Sequence, residues 1–106
     1  MTPEGKVKQK IKKVLDNHEG CIYYYMPVPA GFGKQTLDYL GFFHGLGFAI
    51  EAKRPGKQPT PRQDKDIEDI QAAGARVFVI NDDASLEAFA AWLEQVEGTH
   101  GRCIER

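Results

Sequence analysis

Apolar side chains at Val7, Ile11, Val14, Leu15 and His18 recur with the 3.6-residue period of a helix, which predicts an amphipathic helix over Pro3–His18. Glu4 lies one turn before Val7 on the same stripe. A carboxylate that extends an apolar face points toward the edge of a core rather than into water. The lysines mostly cover the other faces. The pattern then changes. Cys21–Met26, an Ile followed by three Tyr, is rich in strand formers. Pro27–Gln35 holds two Pro and two Gly and is expected to be a loop. Leu37–Phe43 and Leu46–Lys53 are two strand-like runs separated by His44-Gly45, and a dipeptide ending in Gly between apolar runs signals a tight hairpin. After a loop at Arg54–Pro59, Thr60 serves as N-cap and Pro61 as first residue of a helix that stops at Gly74. Ala75–Ile80 is a short strand expected to be buried. Asn81–Asp83 turn the chain, and Leu86, Phe89, Ala90 and Leu93 mark a last amphipathic helix. From Gly98 onward no pattern remains.

The expected order is therefore α-β-β-β-α-β-α. The helix between the third and fourth strands permits a crossover and a parallel pair, so the fold class is a three-layer α/β/α domain on a mixed sheet. A length of 106 residues suits one domain, residues 1–97, with 98–106 as a C-terminal tail. A core of this size is thin, and a second subunit would help it. No apolar stretch approaches the ~20 residues of a membrane-spanning helix, and no apolar run follows the Lys-rich start as a secretory signal would require. Two cysteines, Cys21 and Cys103, do not make a disulfide framework, and a reduced, cytoplasmic protein is expected. The net charge of −1 argues against a histone-like binder. Its distribution is uneven: five lysines fall within Lys6–Lys13, and Arg54, Lys57, Arg62 and Lys65 follow, while acids gather in Asp64–Asp69 and Asp82–Glu97. Such a surface is compatible with a polyanion at one end, and equally with plain solvation.

The hairpin brings chemistry together. If His44-Gly45 is a two-residue turn, Phe43 faces Leu46, and counting back sets Asp38 opposite Glu51 with Lys53 on the same face. Opposed carboxylates destabilise a sheet unless something neutralises them, and a divalent cation would do so. Mg²⁺ takes oxygen ligands from one or two carboxylates, keeps several waters and accepts phosphate oxygens. A neighbouring lysine could orient or deprotonate an attacking water, or stabilise charge in the transition state. Together these suit phosphodiester hydrolysis. Solvated strand-end charges would leave the same residues, and a one-residue slip in register would send Asp38 to the other face.

The frame Glu4, Gly33…Leu37-Asp38, Ile50-Glu51-Ala52-Lys53-Arg54, Thr60-Pro61-Arg62-Gln63 and Ala73-Gly74-Ala75…Val77-Phe78-Val79 closely resembles the virus-type replication-repair nuclease (VRR-NUC) domain of the PD-(D/E)xK nuclease superfamily. The resemblance covers about residues 3–93. Asp38 and Glu51-x-Lys53 are generic to the superfamily. Gln63 and the Ala-Gly before the last strand make the match more specific. The resemblance implies a restriction-endonuclease-like fold and a metal-dependent DNA endonuclease. Asp38, Glu51 and the Ala52 carbonyl would hold Mg²⁺ or Mn²⁺, Lys53 would act on the nucleophilic water, and Glu4 and Gln63 would complete the catalytic set. Leu37 stands where the superfamily name has Pro, a position that varies among such nucleases. With no helicase or other extra domain, the chain looks like the stand-alone phage or prophage form. That form is similar to Holliday-junction resolvases, which pair as homodimers on branched DNA, and it would act in a bacterial or phage-infected cell. Lys6, Lys10, Lys34, Arg54, Lys57 and Arg62 are the expected DNA-contacting residues.

Other features weaken on inspection. Thr60-x-x-Gln63 is also a capping box, a structural role for Gln63. Gly31-Phe32-Gly33-Lys34 lacks the P-loop spacing and does not open a helix, so no nucleotide cofactor is expected. Tyr23, Tyr24 and Tyr25 could stack on bases, although alternate residues in a strand are mostly core. His100 and Cys103 have no second pair to complete a zinc site. His18 and His44 suit surface or turn positions, and Trp92 suits packing. The competing readings are a catalytically idle DNA-binding or assembly module on the same fold, and a small-ligand α/β protein.

Overall fold

Thr2 opens the first helix by accepting the Gly5 N–H on its hydroxyl at 3.0 Å, and Pro3 follows where a missing N–H costs nothing. This helix, α1, spans Pro3–Asp16. It ends two residues before the expected His18, because the Asn17 N–H closes on the Lys13 and Leu15 carbonyls and Gly20 at φ +87° reverses the chain. In this computed structural model residues 1–26 and 36–100 are described. The expected loop Pro27–Gln35, including Lys34 and the Gly31–Lys34 run, and Cys103 lie outside them.

The strands are β1 (Ile22–Tyr25), β2 (Tyr39–Phe43), β3 (Leu46–Ala52) and, after helix α2 (Pro61–Ala72), β4 (Arg76–Ile80); helix α3 (Asp83–His100) follows. They form a mixed sheet in the order β1-β2-β3-β4, antiparallel except for β3 with β4, which α2 connects as a crossover. His44 and Gly45 have φ of 51° and 83°, the left-handed pair that a type I′ hairpin turn demands. The ladder runs from Phe43 opposite Leu46 to Tyr39 opposite Ile50. One further step sets Asp38 across from Glu51, although Asp38 itself sits in a bend just before β2.

Side chains alternate across the sheet. One face carries Tyr39, Phe43, Phe48, Ile50, Ala52 and Ile80, and α1 (Val7, Ile11, Leu15) and α3 (Phe89, Trp92, Leu93, Val96) cover it to form the core. Phe48 lies flat over Gly41: a Cβ at Gly41 would come within 2.3 Å of the Phe48 ring. The other face carries Glu51 and meets α2, which has no fully buried residue and packs on β4. Toward β1 this face is uncovered, and Ile22, Tyr24 and Phe42 are more than half exposed.

The edge positions of β1 and β4 correct two expectations. Of the β1 tyrosines only Tyr23 packs against the core; Tyr24 lies on the face that α2 leaves uncovered, and Tyr25, on the α1 face of this edge strand, is half exposed. Likewise β4 is the other edge, and only Ile80 in it is fully buried. A third correction concerns the tail. Helix α3 continues through Gly98 to His100, since an exposed Gly near a helix end costs only about 1 kcal/mol. Among the described residues no helix is long and apolar enough to cross a membrane.

Candidate active site

The end of the sheet where β3 finishes gathers the charged residues. Glu51 alternates with Ile50 and Ala52 and therefore points toward α2, away from the core. It is nonetheless buried, at 4% exposure. Gln63, in the first turn of α2, donates from Nε2 to Glu51 Oε2 at 2.8 Å. The same amide's Oε1 accepts the Thr60 N–H at 3.0 Å while Thr60 Oγ1 accepts the Gln63 N–H at 3.3 Å, which completes the capping box. The cap and the contact with Glu51 are thus made by one side chain, its oxygen in the cap and its nitrogen on the carboxylate.

Lys53 follows β3 and is buried; its Nζ lies 3.6 Å from Glu51 Oε2. Its N–H donates to the Ile80 carbonyl at 3.0 Å, which fixes the backbone beneath the ammonium. Asp38 is clamped from the other side, with Oδ2 accepting the Ala52 N–H at 2.9 Å and its carbonyl accepting the Met26 N–H at 2.7 Å. In extended backbone the carbonyl of a residue opens toward the same neighbour as its N–H, so the Ala52 carbonyl faces the Asp38 side. Burial, reinforced by the Asp38 charge, pushes the Glu51 carboxyl up to about 7, against the opposing pull of Lys53 and of the Asp38 backbone. A buried acid beside a second acid is held in a state that a cation would relieve.

Glu4 does not touch this pair. It reaches Lys8 one turn along α1, with Nζ 3.4 Å from Oε2. Lys8, which the sequence reading passed over, is the more telling residue. Its Nζ donates to the Tyr25 hydroxyl at 3.0 Å and lies 5.1 Å from the centre of that ring. Burial alone would lower its pKa; the Tyr25 hydroxyl and the charges of Asp38 and Glu4 override burial and hold it above the usual lysine range. The Lys8 ammonium therefore links Glu4 to the Asp38 side of the site.

The other expected cations divide. Arg54, Lys57 and Arg62 are exposed, Arg54 directly after Lys53 and Arg62 directly before Gln63. Arg54 and Lys57 line an open groove of about 590 Å³ with Pro3, Pro55 and Gly56. Asn81 holds that loop by donating from Nδ2 to the Lys57 carbonyl at 2.9 Å and accepting the Gly56 N–H at 3.2 Å. Lys10 instead pairs with Asp83 at 3.0 Å, on the α3 side. Lys6 is exposed on α1. His18 is half-buried with Nδ1 2.7 Å from the Val14 carbonyl, and Trp92 is buried in the core. Among the described residues no cluster of three or more His, Cys, Asp or Glu side chains is placed to hold a metal ion, so a cation here would have two carboxylates as its side-chain ligands. No protein-family model and no curated protein matches the chain.

Proposed function

We propose that this chain is a metal-dependent DNA endonuclease with a restriction-endonuclease-like fold of the VRR-NUC type. The observation that carries the reading is the buried Glu51 carboxylate, held by Gln63 and Lys53 and set beside Asp38, which is itself clamped to the backbone of Ala52. A buried acid beside a second, half-buried acid is costly without a cation, and the donor set is all hard oxygen: Asp38, Glu51 and the Ala52 carbonyl. These residues fit Mg²⁺ or Mn²⁺, which commonly take one or two carboxylates and fill the remaining positions with water and substrate phosphate. Bound there, the ion would polarise the scissile phosphate and lower the pKa of a coordinated water.

The chain's own groups do the rest. Lys53 holds the attacking water on the Glu51 side and stabilises charge that develops on the phosphate. Gln63 fixes the orientation of Glu51, and Asp38 is fixed by Ala52. Arg54, Lys57 and Arg62 supply phosphate contacts, helped by the groove beside Pro3. Glu4 acts through Lys8 as a positioning residue. Water adds to phosphorus, the bond to the bridging oxygen breaks, and that oxygen leaves with a proton.

A domain of this size has little surface with which to hold a branched substrate. Closed two-fold pairing would match one site to each of the two equivalent cuts in a four-way junction, and a homodimer is the expected assembly. The uncovered Ile22, Tyr24 and Phe42 face offers an apolar surface for that pairing.

The test is digestion of labelled linear duplex, flap, splayed arm and four-way junction with Mg²⁺, Mn²⁺, Ca²⁺ or EDTA. Cleavage is expected with Mg²⁺ or Mn²⁺, weakly with Ca²⁺ and not with EDTA. Asp38→Ala, Glu51→Ala and Lys53→Ala should each abolish cutting while DNA binding survives. Cleavage in EDTA, or full activity of Glu51→Ala, would refute the assignment.

A further inference from the structure

Tyr23, Tyr25 and Tyr39 play no part in the chemistry just described, yet they are arranged with care. Tyr23 and Tyr25 alternate on β1 and Tyr39 pairs with Tyr25 in the register, so all three rings share the α1 face of the sheet. Tyr39 stands between the other two, 5.3 Å from the Tyr25 ring and 6.2 Å from the Tyr23 ring. Lys8 and Lys12, one turn apart on α1, form the other side, and the five residues line an open pocket of about 280 Å³. Two of the hydroxyls are already committed: Tyr25 accepts from Lys8, and Tyr23 donates to Asp16 at 2.7 Å. The rings are thus set in place before anything binds, which lowers the entropy lost on binding.

We propose that this pocket is a subsite for an unpaired nucleobase of the strand being cut. The inference rests on the nuclease reading above. Its chemistry is that of single-strand recognition: aromatic faces for the base and ammonium groups at the rim for the backbone. The rim cations are shared with carboxylates, Lys12 with Asp16 at 2.6 Å and Lys8 with Glu4, so stacking rather than charge carries the affinity. The pocket lies across the sheet from Glu51 and meets the site at Asp38. Tyr39 follows Asp38 directly and pairs with Tyr25 in the register, the Met26 N–H donates to the Asp38 carbonyl at 2.7 Å, and Lys8 donates to the Tyr25 hydroxyl. A base inside a duplex has both faces covered by its neighbours, so only an unpaired one can stack on a tyrosine. The subsite would therefore favour substrates with single-stranded nucleotides at the cut.

The test uses fluorescein-labelled octathymidylate and an octamer of the same backbone with every base replaced by an abasic site. Both are titrated in EDTA by anisotropy against the wild type, Tyr25→Leu and Tyr25→Phe. Stacking lost per base is about 1–3 kcal/mol, so Tyr25→Leu should weaken octathymidylate binding about 5- to 150-fold without changing the salt slope. Tyr25→Phe should stay near wild type, and the abasic strand should bind weakly and equally to all three. Wild-type binding of the abasic strand as tight as of octathymidylate, or Tyr25→Leu indistinguishable from wild type on octathymidylate, would overturn the proposal. The abasic comparison holds even if Tyr25→Leu misfolds, since it needs no variant. Tyr25-dependent binding together with no cleavage in any metal would leave the subsite standing and remove the nuclease reading. Metal-dependent cleavage with binding indifferent to Tyr25 would do the reverse.

Discussion

Replacing Glu51 with Gln should stabilise the metal-free protein at neutral pH, and the gain should vanish in acid. The Glu51 carboxyl is raised from 4.5 to about 7 by burial and the Asp38 charge. The folded state therefore binds this proton more tightly than the unfolded state. Wherever the folded state holds more protons, stability falls as pH rises. The contribution is full below about pH 4.5, declines toward pH 7, and is lost above it. At about 1.4 kcal/mol per pH unit the penalty at neutral pH is roughly 3 kcal/mol. Glutamine keeps the oxygen that accepts from Gln63 but carries no charge, so it escapes the penalty; the loss of the Lys53 attraction is already counted in the net shift. In a domain of this size about 3 kcal/mol corresponds to roughly 10–20 °C in Tm. The assay is thermal unfolding of both proteins in EDTA across the pH range, repeated with millimolar Mg²⁺. In EDTA the variant's Tm advantage should grow from about pH 4.5 to about pH 8. Added Mg²⁺ should raise the wild type alone, because only it retains both carboxylates. A Tm difference that does not change with pH would refute the burial argument.

Gly41→Ala should destabilise the fold by about 1–3 kcal/mol in urea titration, because its methyl would meet the fully buried Phe48 ring. Replacing Arg54, Lys57 and Arg62 together with Ala should weaken DNA binding across sequences and flatten the dependence of affinity on salt; an unchanged slope would place the DNA path elsewhere. Light scattering at micromolar concentration should give twice the chain mass, and Phe42→Glu should return it to one; junction cleavage by a wild-type monomer would remove the dimer.

Much of the architecture was legible where local chemistry decides it. His44-Gly45 could serve as a two-residue turn only with left-handed backbone at both positions, and once that turn is set the pairing of Tyr39 with Ile50 follows by counting. Thr60 and Pro61 announce α2 at the residue where it begins. What escaped depends on which strands lie at the edges and on how far each helix reaches. Tyr24 is exposed because α2 lies over β4 and leaves that face of β1 bare, Tyr25 because β1 is an edge strand, and nothing in their own spacing records that. Lys8 reads as one of five lysines on a solvated helix until α1 is laid beside Tyr25. Its spacing of four from Glu4 was the available signal, since that pair shares a helix face. Lys10 illustrates the opposite case: basic in sequence, it is occupied by Asp83, a residue far along the chain.

Gln63 leaves position 63 almost no freedom of spelling. The helix cap asks for an acceptor and the Glu51 carboxylate asks for a donor, and one side chain answers both. Glutamate would serve the cap but set a second anion against the first. Lysine or arginine would serve the carboxylate but abandon the cap, and asparagine is one carbon shorter. The start of α2 and the orientation of Glu51 consequently rise and fall together: fraying the first turn of the helix releases the carboxylate, and ionic contacts at the carboxylate hold the helix closed. In amide hydrogen exchange the Gln63 and Asp64 N–H groups should report on whatever occupies the site, without touching it.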